Sequence, residues 1–271
     1  VKLYLYAKKL YIGFILTSVI SKSVARIFEV LELFSRTQQP MRAVEIQKAL
    51  DYPQPSTLAL LKNLVELKYL SFDRVHKTYF PTLELARLAQ WVEPALVGQG
   101  WLAQIADELS IACNETASVI GQNNIHSQII YVHKAEHPLA LQVEAGLGAP
   151  LCATSVGRAI LSLQGDEQIE ALIAETNKLE KRSGSKIHHD MQNIMVSIRT
   201  IREKGYLSTY DLYIKGVGTI VFPLPADFNG HPIAIAVAGT TERIREQETF
   251  ILRTLRTTIQ RYIPQIDQLR A

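Results

Sequence analysis

The sequence predicts an α+β chain in which a small N-terminal helical module precedes a larger domain with a mostly antiparallel sheet. Three observations carry this reading. Up to about residue 90 the apolar residues recur at intervals of three and four, as on helices buried along one face, and from residue 117 the interval shifts toward two, as in strands. The chain has 271 residues, enough for two domains at roughly 150 residues each. The charge is also divided. Residues 1–90 hold 13 Lys+Arg against 7 Asp+Glu, a net +6, whereas residues 91–271 hold 16 against 19, a net −3. A basic module on a mildly acidic body points to a polyanion-binding unit attached to a second domain.

Composition narrows the class. At 47% hydrophobic and 20% charged, the chain is ordinary globular material, neither disordered nor collagen-like. With 29 Lys+Arg against 26 Asp+Glu, a wholly basic coat is excluded. Two cysteines, Cys113 and Cys152, make no disulfide framework and fit the reducing cytoplasm. Residues 1–20 read as an extension of unknown role. There Lys8 and Lys9 precede the apolar run Leu10 to Leu16, which is short of the ~20 residues a membrane span needs, and no small-x-small cleavage site follows. No later segment is long enough to span, so no membrane partner is expected.

From residue 21 the elements follow in order. Ser21 and Ser23 are helix-starting residues, and Val24, Ile27, Phe28, Leu31 and Phe34 form one face of an amphipathic helix. Thr37 to Pro40 breaks it. A second short helix runs from about Ala43 to Leu50, without the usual Ser, Thr or Asp cap. After the turn Asp51 to Gln54, Pro55 opens a third helix, where its missing N–H costs nothing. Leu61, Leu64 and Val65 face inward on it, and Ser56, Ala59, Lys62, Asn63 and Glu66 face the other way. Tyr69 to Phe72 and Thr78 to Phe80 read as a hairpin ended by Pro81.

Two helices, a four-residue turn, a third helix and a hairpin make the order of a winged helix-turn-helix, here residues 21–82. A helix fits the DNA major groove, and small polar side chains at its start can approach base edges and phosphates. Candidate DNA contacts are Gln54, Ser56, Thr57 and Lys62 on the third helix, with Arg74 and Lys77 on the hairpin. His76 lies between those two. The alternative is a packing module that docks protein rather than DNA.

Several segments together resemble the isocitrate lyase regulator (IclR) family of bacterial transcription regulators. They are Ser23 to Phe34, the run Pro53-Gln54-Pro55-Ser56-Thr57-Leu58 to Asn63-Leu64, and Lys68-Tyr69-Leu70. The likeness continues in Gly148-Ala149-Pro150-Leu151-Cys152-Ala153-Thr154-Ser155-Val156-Gly157-Arg158-Ala159, in Ile201 to Tyr206, in Gly216-Val217 and in Phe222-Pro223-Leu224. It covers roughly residues 21–262. Two positions depart from it. Ala59 stands where many members carry a polar or basic residue, and Lys68 where many have glycine, so that this helix end is expected to turn left-handed less easily.

Residues 83–112 read as a linker helix, with breaks near Pro94 and Gly98 to Gly100. Leu85, Leu88, Trp91 and Val92 are too apolar for a solvated tether. They would pack against a second subunit, as a homodimer or dimer of dimers, or against their own domain. In residues 113–265, strands are expected at Ala117 to Ile120, Gln128 to His133, Leu139 to Val143, Gly218 to Phe222 and Pro232 to Ala238, the last two joined through Asp227 to Gly230. Helices are expected at Thr154 to Leu163, Gln168 to Thr176, Asp190 to Lys204 and about Thr241 to Tyr262. The resemblance implies that this is a GAF-like effector-binding domain.

Signals for catalysis are weak, and the chain reads as no enzyme, with no metal and no cofactor. An enzyme on the same GAF-like scaffold is the alternative. His188-His189-Asp190 lacks further ligands at metal spacing and reads as a helix start capped by Asp190. His133 and His137 sit on a strand and turn rather than on one helical face. Cys152 has no nameable base partner, and Ser155 no Gly-x-Ser-x-Gly setting. The resemblance implies an effector pocket at Ser155, Val156, Thr209, Thr219, Ala236 and Ala238. The two alanines share one face of a strand where some relatives carry hydroxyls, so a floor of methyl groups is expected to hold a small carboxylate less well. The implied whole is a regulator that binds a double-stranded DNA operator under the control of a small-molecule effector.

Overall fold

The computed structural model describes residues 21–90, 100–182, 184–228 and 231–268. They fall in two compact units that divide near residue 95. The expected extension 1–20, and Trp91 and Val92 of the expected linker, lie outside the described residues.

In the smaller unit α1 (Lys22–Thr37), α2 (Ala43–Leu50) and α3 (Gln54–Glu66) surround one apolar core. Val30, Leu33 and Phe34 of α1 meet Ile46 of α2, Leu61 and Leu64 of α3, and Leu70. The inward face of α1 is therefore rotated from the expected one. Val24 and Phe28 lie in solvent, Phe28 61% exposed. The cap that α2 seemed to lack comes from inside the helix, where the Glu45 carboxylate accepts from the Arg42 N–H at 2.7 Å. The Arg26 guanidinium lies over the Tyr52 ring and ties α1 to the turn before α3. The hairpin is β2 (Leu70–Asp73) and β3 (Thr78–Pro81), and the two-residue β1 (Met41–Arg42) pairs with the other side of β3. A short helix α4 (Leu83–Ala89) follows. Thr82 caps it and also donates to the Lys68 carbonyl.

The larger unit is one six-stranded sheet of order β6-β5-β4-β9-β8-β7, every neighbouring pair antiparallel. Its strands are β4 (Thr116–Asn123), β5 (His126–His133), β6 (Gly148–Pro150), β7 (Leu207–Tyr210), β8 (Val217–Phe228) and β9 (His231–Thr240). Alternation sends successive side chains to opposite faces. Ile233, Ile235 and Val237 join a core with α5 (Trp101–Cys113), α9 (Thr241–Glu246) and α10 (Glu248–Gln268). Ala234 and Ala236 join a second core with α6 (Ser155–Leu161), α7 (Asp166–Arg182) and α8 (Met191–Lys204).

Two expectations are corrected here. Residues 83–112 are not one linker helix, because Trp101, Leu102, Ile105 and Leu109 of α5 are core of the larger unit. Leu139–Val143 is no strand. The edge of β5 is taken instead by β6 and by Leu147 and Gly146, which exchange backbone hydrogen bonds with Ile129. Gly146 adopts φ +86°, a turn that returns the chain to that edge. Among the described residues no helix is long and apolar enough to cross a membrane.

Lys68 ends α3 in the left-handed region at φ 66°, where a side chain is strained and glycine is not. Its N–H still closes onto the Val65 carbonyl at 3.0 Å. Lys68→Gly relieves that strain at some cost in chain entropy, and we expect a net gain of about 0.5 to 1 kcal/mol. Urea unfolding followed in the smaller unit measures it; a loss of stability would mean that Lys68 makes compensating contacts.

Candidate functional site

The third helix of the small unit opens without a side-chain cap. Its first turn therefore presents free N–H groups, which favour an anion. Gln54 and Lys62 are exposed on it, and Ser56 is half-buried. The Ser56 hydroxyl donates to the Pro53 carbonyl at 2.9 Å. Lys62 stands 3.9 Å from Glu66 in a loose pair of exposed groups, which holds it only weakly. Thr57 is different from expectation. It is 1% exposed and its hydroxyl donates inward to the Pro53 carbonyl at 3.1 Å, so it shapes the start of the helix and offers nothing to a groove.

Arg74 and Lys77 are exposed at the hairpin tip. The tip is organised by Asp73, whose carboxylate accepts from the Val75 N–H at 2.7 Å and the His76 N–H at 3.2 Å. His76 Nδ1 lies 2.6 Å from its other oxygen. That side-chain bond first, and then the two backbone N–H groups, hold the Asp73 carboxyl below its ordinary range. His76 is thereby engaged by its own turn, while Arg74 and Lys77 project.

In the larger unit all six residues expected at the effector site line one cavity of about 150 Å³. Ser155 and Val156 begin α6, whose start is fixed by Thr154, its hydroxyl accepting from the Gly157 N–H at 3.0 Å. Thr209 on β7 pairs in register with Thr219 on β8, and Thr219 with Ala238 on β9. Ala236 lies two residues along the same face and pairs with Ser118 of β4. Sequence reasoning missed Ser118, the wall formed by Leu141 to Val143, and the loop residues Leu212, Tyr213 and Ile214. For Ser118 a signal existed, a hydroxyl set between the apolar Ala117 and Val119. The loop is cinched by Asp211, whose carboxylate accepts from the Gly216 N–H at 2.6 Å and from the Thr241 hydroxyl at 3.0 Å. The Gly216 bond, then the Thr241 bond, lowers the Asp211 carboxyl.

The residues weighed for chemistry are occupied elsewhere. Cys152 is buried with Sγ 3.7 Å from the Thr176 hydroxyl, and burial pushes its thiol up. Burial takes Cys113 up to about 11. His133 and His137 face separate carboxylates, Asp107 at 2.7 Å and Glu115 at 3.4 Å. His189 is buried with its backbone clasped by the Asn177 amide, and Asp190 caps α8 through the Gln192 N–H. Among the described residues no group of three or more His, Cys, Asp or Glu could hold a metal.

A winged helix-turn-helix followed by a sheet domain with a ligand-sized cavity defines a DNA-binding transcription regulator with its own effector domain. The chain belongs to the IclR family. The model of the bacterial transcriptional regulator IclR C-terminal domain matches residues 100–263, and that of the IclR helix-turn-helix domain residues 23–74. It is similar to the Pca regulon regulatory protein of Pseudomonas putida, 24% identical over 223 residues that cover 80% of this chain and 74% of that one. IclR of Thermotoga maritima superposes with a TM-score of 0.64 at 15% identity, covering 88% of this chain and 97% of the other. An IclR family transcriptional regulator from Brucella abortus superposes at 0.61 and 17% identity, covering 92% and 94%. These two likenesses establish the fold. The families matched are transcriptional regulators and not enzymes.

Thr57→Val keeps the shape of the side chain and removes its bond to the Pro53 carbonyl. We expect the small unit to lose about 1 kcal/mol of stability. Binding to DNA at saturating folded protein should be unchanged. Urea melts and a gel shift on one preparation measure both, and a weakened complex at full stability would return Thr57 to the interface.

Proposed function

We propose that the chain binds operator DNA through Gln54, Ser56 and Lys62 on α3, with Arg74 and Lys77 on the flanking hairpin, and takes a small effector in the cavity of the larger unit. The observation that carries the second part is convergence. Ser155, Val156, Thr209, Thr219, Ala236 and Ala238 come from α6, β7, β8 and β9, and all line one half-open cavity. For the first part, the support is an uncapped helix start beside exposed cations in a helix-turn-helix. On this reading residues 21–82 are the DNA module, the linker ends before Trp101, and the protein acts on DNA in the cytoplasm.

The active form is a dimer, or a dimer of dimers. One winged module offers few base contacts, and a two-fold operator is read by half-sites in successive major grooves. Apolar surface supports this. Leu83 is 86% exposed, and Leu88 of α4 and Phe28 of α1 also stand in solvent. An effector controls DNA binding only if it binds two states of the protein unequally.

A gel shift on the DNA upstream of the protein's own gene, with salt titration, tests the DNA reading. Lys62→Ala should weaken binding across sequences and reduce the salt slope by about one, the signature of one lost phosphate contact. An unchanged slope removes Lys62 from the interface. Light scattering tests assembly, and a monomer at micromolar concentration with full operator affinity would defeat the dimer.

A further inference from the structure

The lining of the cavity says what kind of molecule it takes. Among the described residues no Asp, Glu, Lys, Arg or His lines it. The walls are Ile120, Ile129, Leu141, Val156 and Ile214 over the two alanines of β9. A carboxylate seated against such walls gives up part of its water and meets no cation. At the start of α6 the Gly157 N–H is already taken by Thr154. Arg158, a buried cation of the same helix, is spent on the Cys152 carbonyl, Asn193 and Ser197.

The cavity is nonetheless not indifferent to polarity. The hydroxyls of Ser118, Ser155, Thr209 and Thr219 line it and make no hydrogen bond with any described residue. Each can donate and accept. They stand apart, with Ser118 on the middle of the floor, Ser155 at the α6 wall, and the Thr209–Thr219 register pair on the β7 side. At about 150 Å³ the space matches an engineered apolar cavity that holds benzene.

Resting on the reading of this cavity as the effector site, we propose that the effector is a neutral monocyclic compound carrying one or two hydroxyl, carbonyl or amide groups, and not a carboxylic acid. The apolar walls take the ring, and the four spare hydroxyls orient its polar substituents.

Benzamide and benzoate differ little in shape and fully in charge at neutral pH, so calorimetric titration of the whole chain with each is the test. Benzamide should bind at least about tenfold more tightly than benzoate. Ala236→Trp, which fills the cavity, and the milder Ala238→Leu should each abolish or weaken benzamide binding by a similar factor, and Thr219→Arg should turn the preference toward benzoate. Benzoate binding as tightly as benzamide to the unaltered chain overturns the neutral class, as does the failure of both to bind. Benzamide binding unchanged in folded Ala236→Trp and Ala238→Leu overturns something else, the reading of the cavity as the site.

Discussion

The approach of α6 to the turn at Leu151 is the contact on which the effector domain is assembled. A Cβ at Gly157 would overlap the backbone of Leu151, its carbonyl oxygen, Cα and carbonyl carbon alike. Backbone cannot step aside as a flexible side chain can, so this helix sits where it does only with glycine at that position. The next residue uses the closeness. Arg158 reaches the Cys152 carbonyl with Nε, and Asn193 and Ser197 of α8 with Nη1. One glycine and one arginine thus bind the turn, α6 and α8 into a block, and Ser155 and Val156 are carried to the cavity rim as part of it. Arg158 has no carboxylate partner among the described residues; three neutral acceptors hold a buried guanidinium, and burial lowers its basicity.

The sheet supplies the rest of the geometry because its two faces have different tasks. On β9 the residues facing α5 and α10 are Ile233, Ile235 and Val237, and those facing the other way are Ala234, Ala236 and Ala238. Large side chains on one face anchor the strand in a dense core, while methyl groups on the other leave room above it. At the end of the strand Gly239 lies against the buried Glu115 carboxylate, which pairs with Arg243 of α9 and faces His137. A buried carboxylate held by two partners closes that end of the domain where the apolar core stops.

Periodicity was a sound guide to the helices and a poor one to their orientation. The approximate bounds Ala43 and Leu50 of α2 follow from spacing, and the cap of α8 at Asp190 from the residue type at a helix start. On α1 the expected face Val24, Ile27, Phe28, Leu31 and Phe34 is only partly the buried one: Ile27, Leu31 and Phe34 pack on the core with Val30 and Leu33, and contact with Ile46, Leu61 and Leu64 leaves Val24 and Phe28 outside. The β5 edge departs from the pattern for a related reason. Leu139 to Val143 has strand-like residues, yet the hydrogen bonds go to Gly146 and Leu147, whose composition signals a turn. Cavity residues such as Thr209 and Ala238 carry no local mark of function. They were reached through resemblance, and their convergence is a property of register across three strands, which no single stretch of sequence displays.

Both cysteines of the chain are buried, with thiols pushed above their usual range, Cys113 to about 11. At neutral pH almost none of either is thiolate, the form that reacts. The protein is therefore close to a blank background for sulfhydryl chemistry. A single cysteine introduced on an exposed surface, for instance by Arg74→Cys at the hairpin tip, will take up a maleimide dye or a nitroxide ahead of the two native thiols. Two such exposed cysteines would carry the pair of labels that a fluorescence or spin-label distance needs, without first removing a native residue.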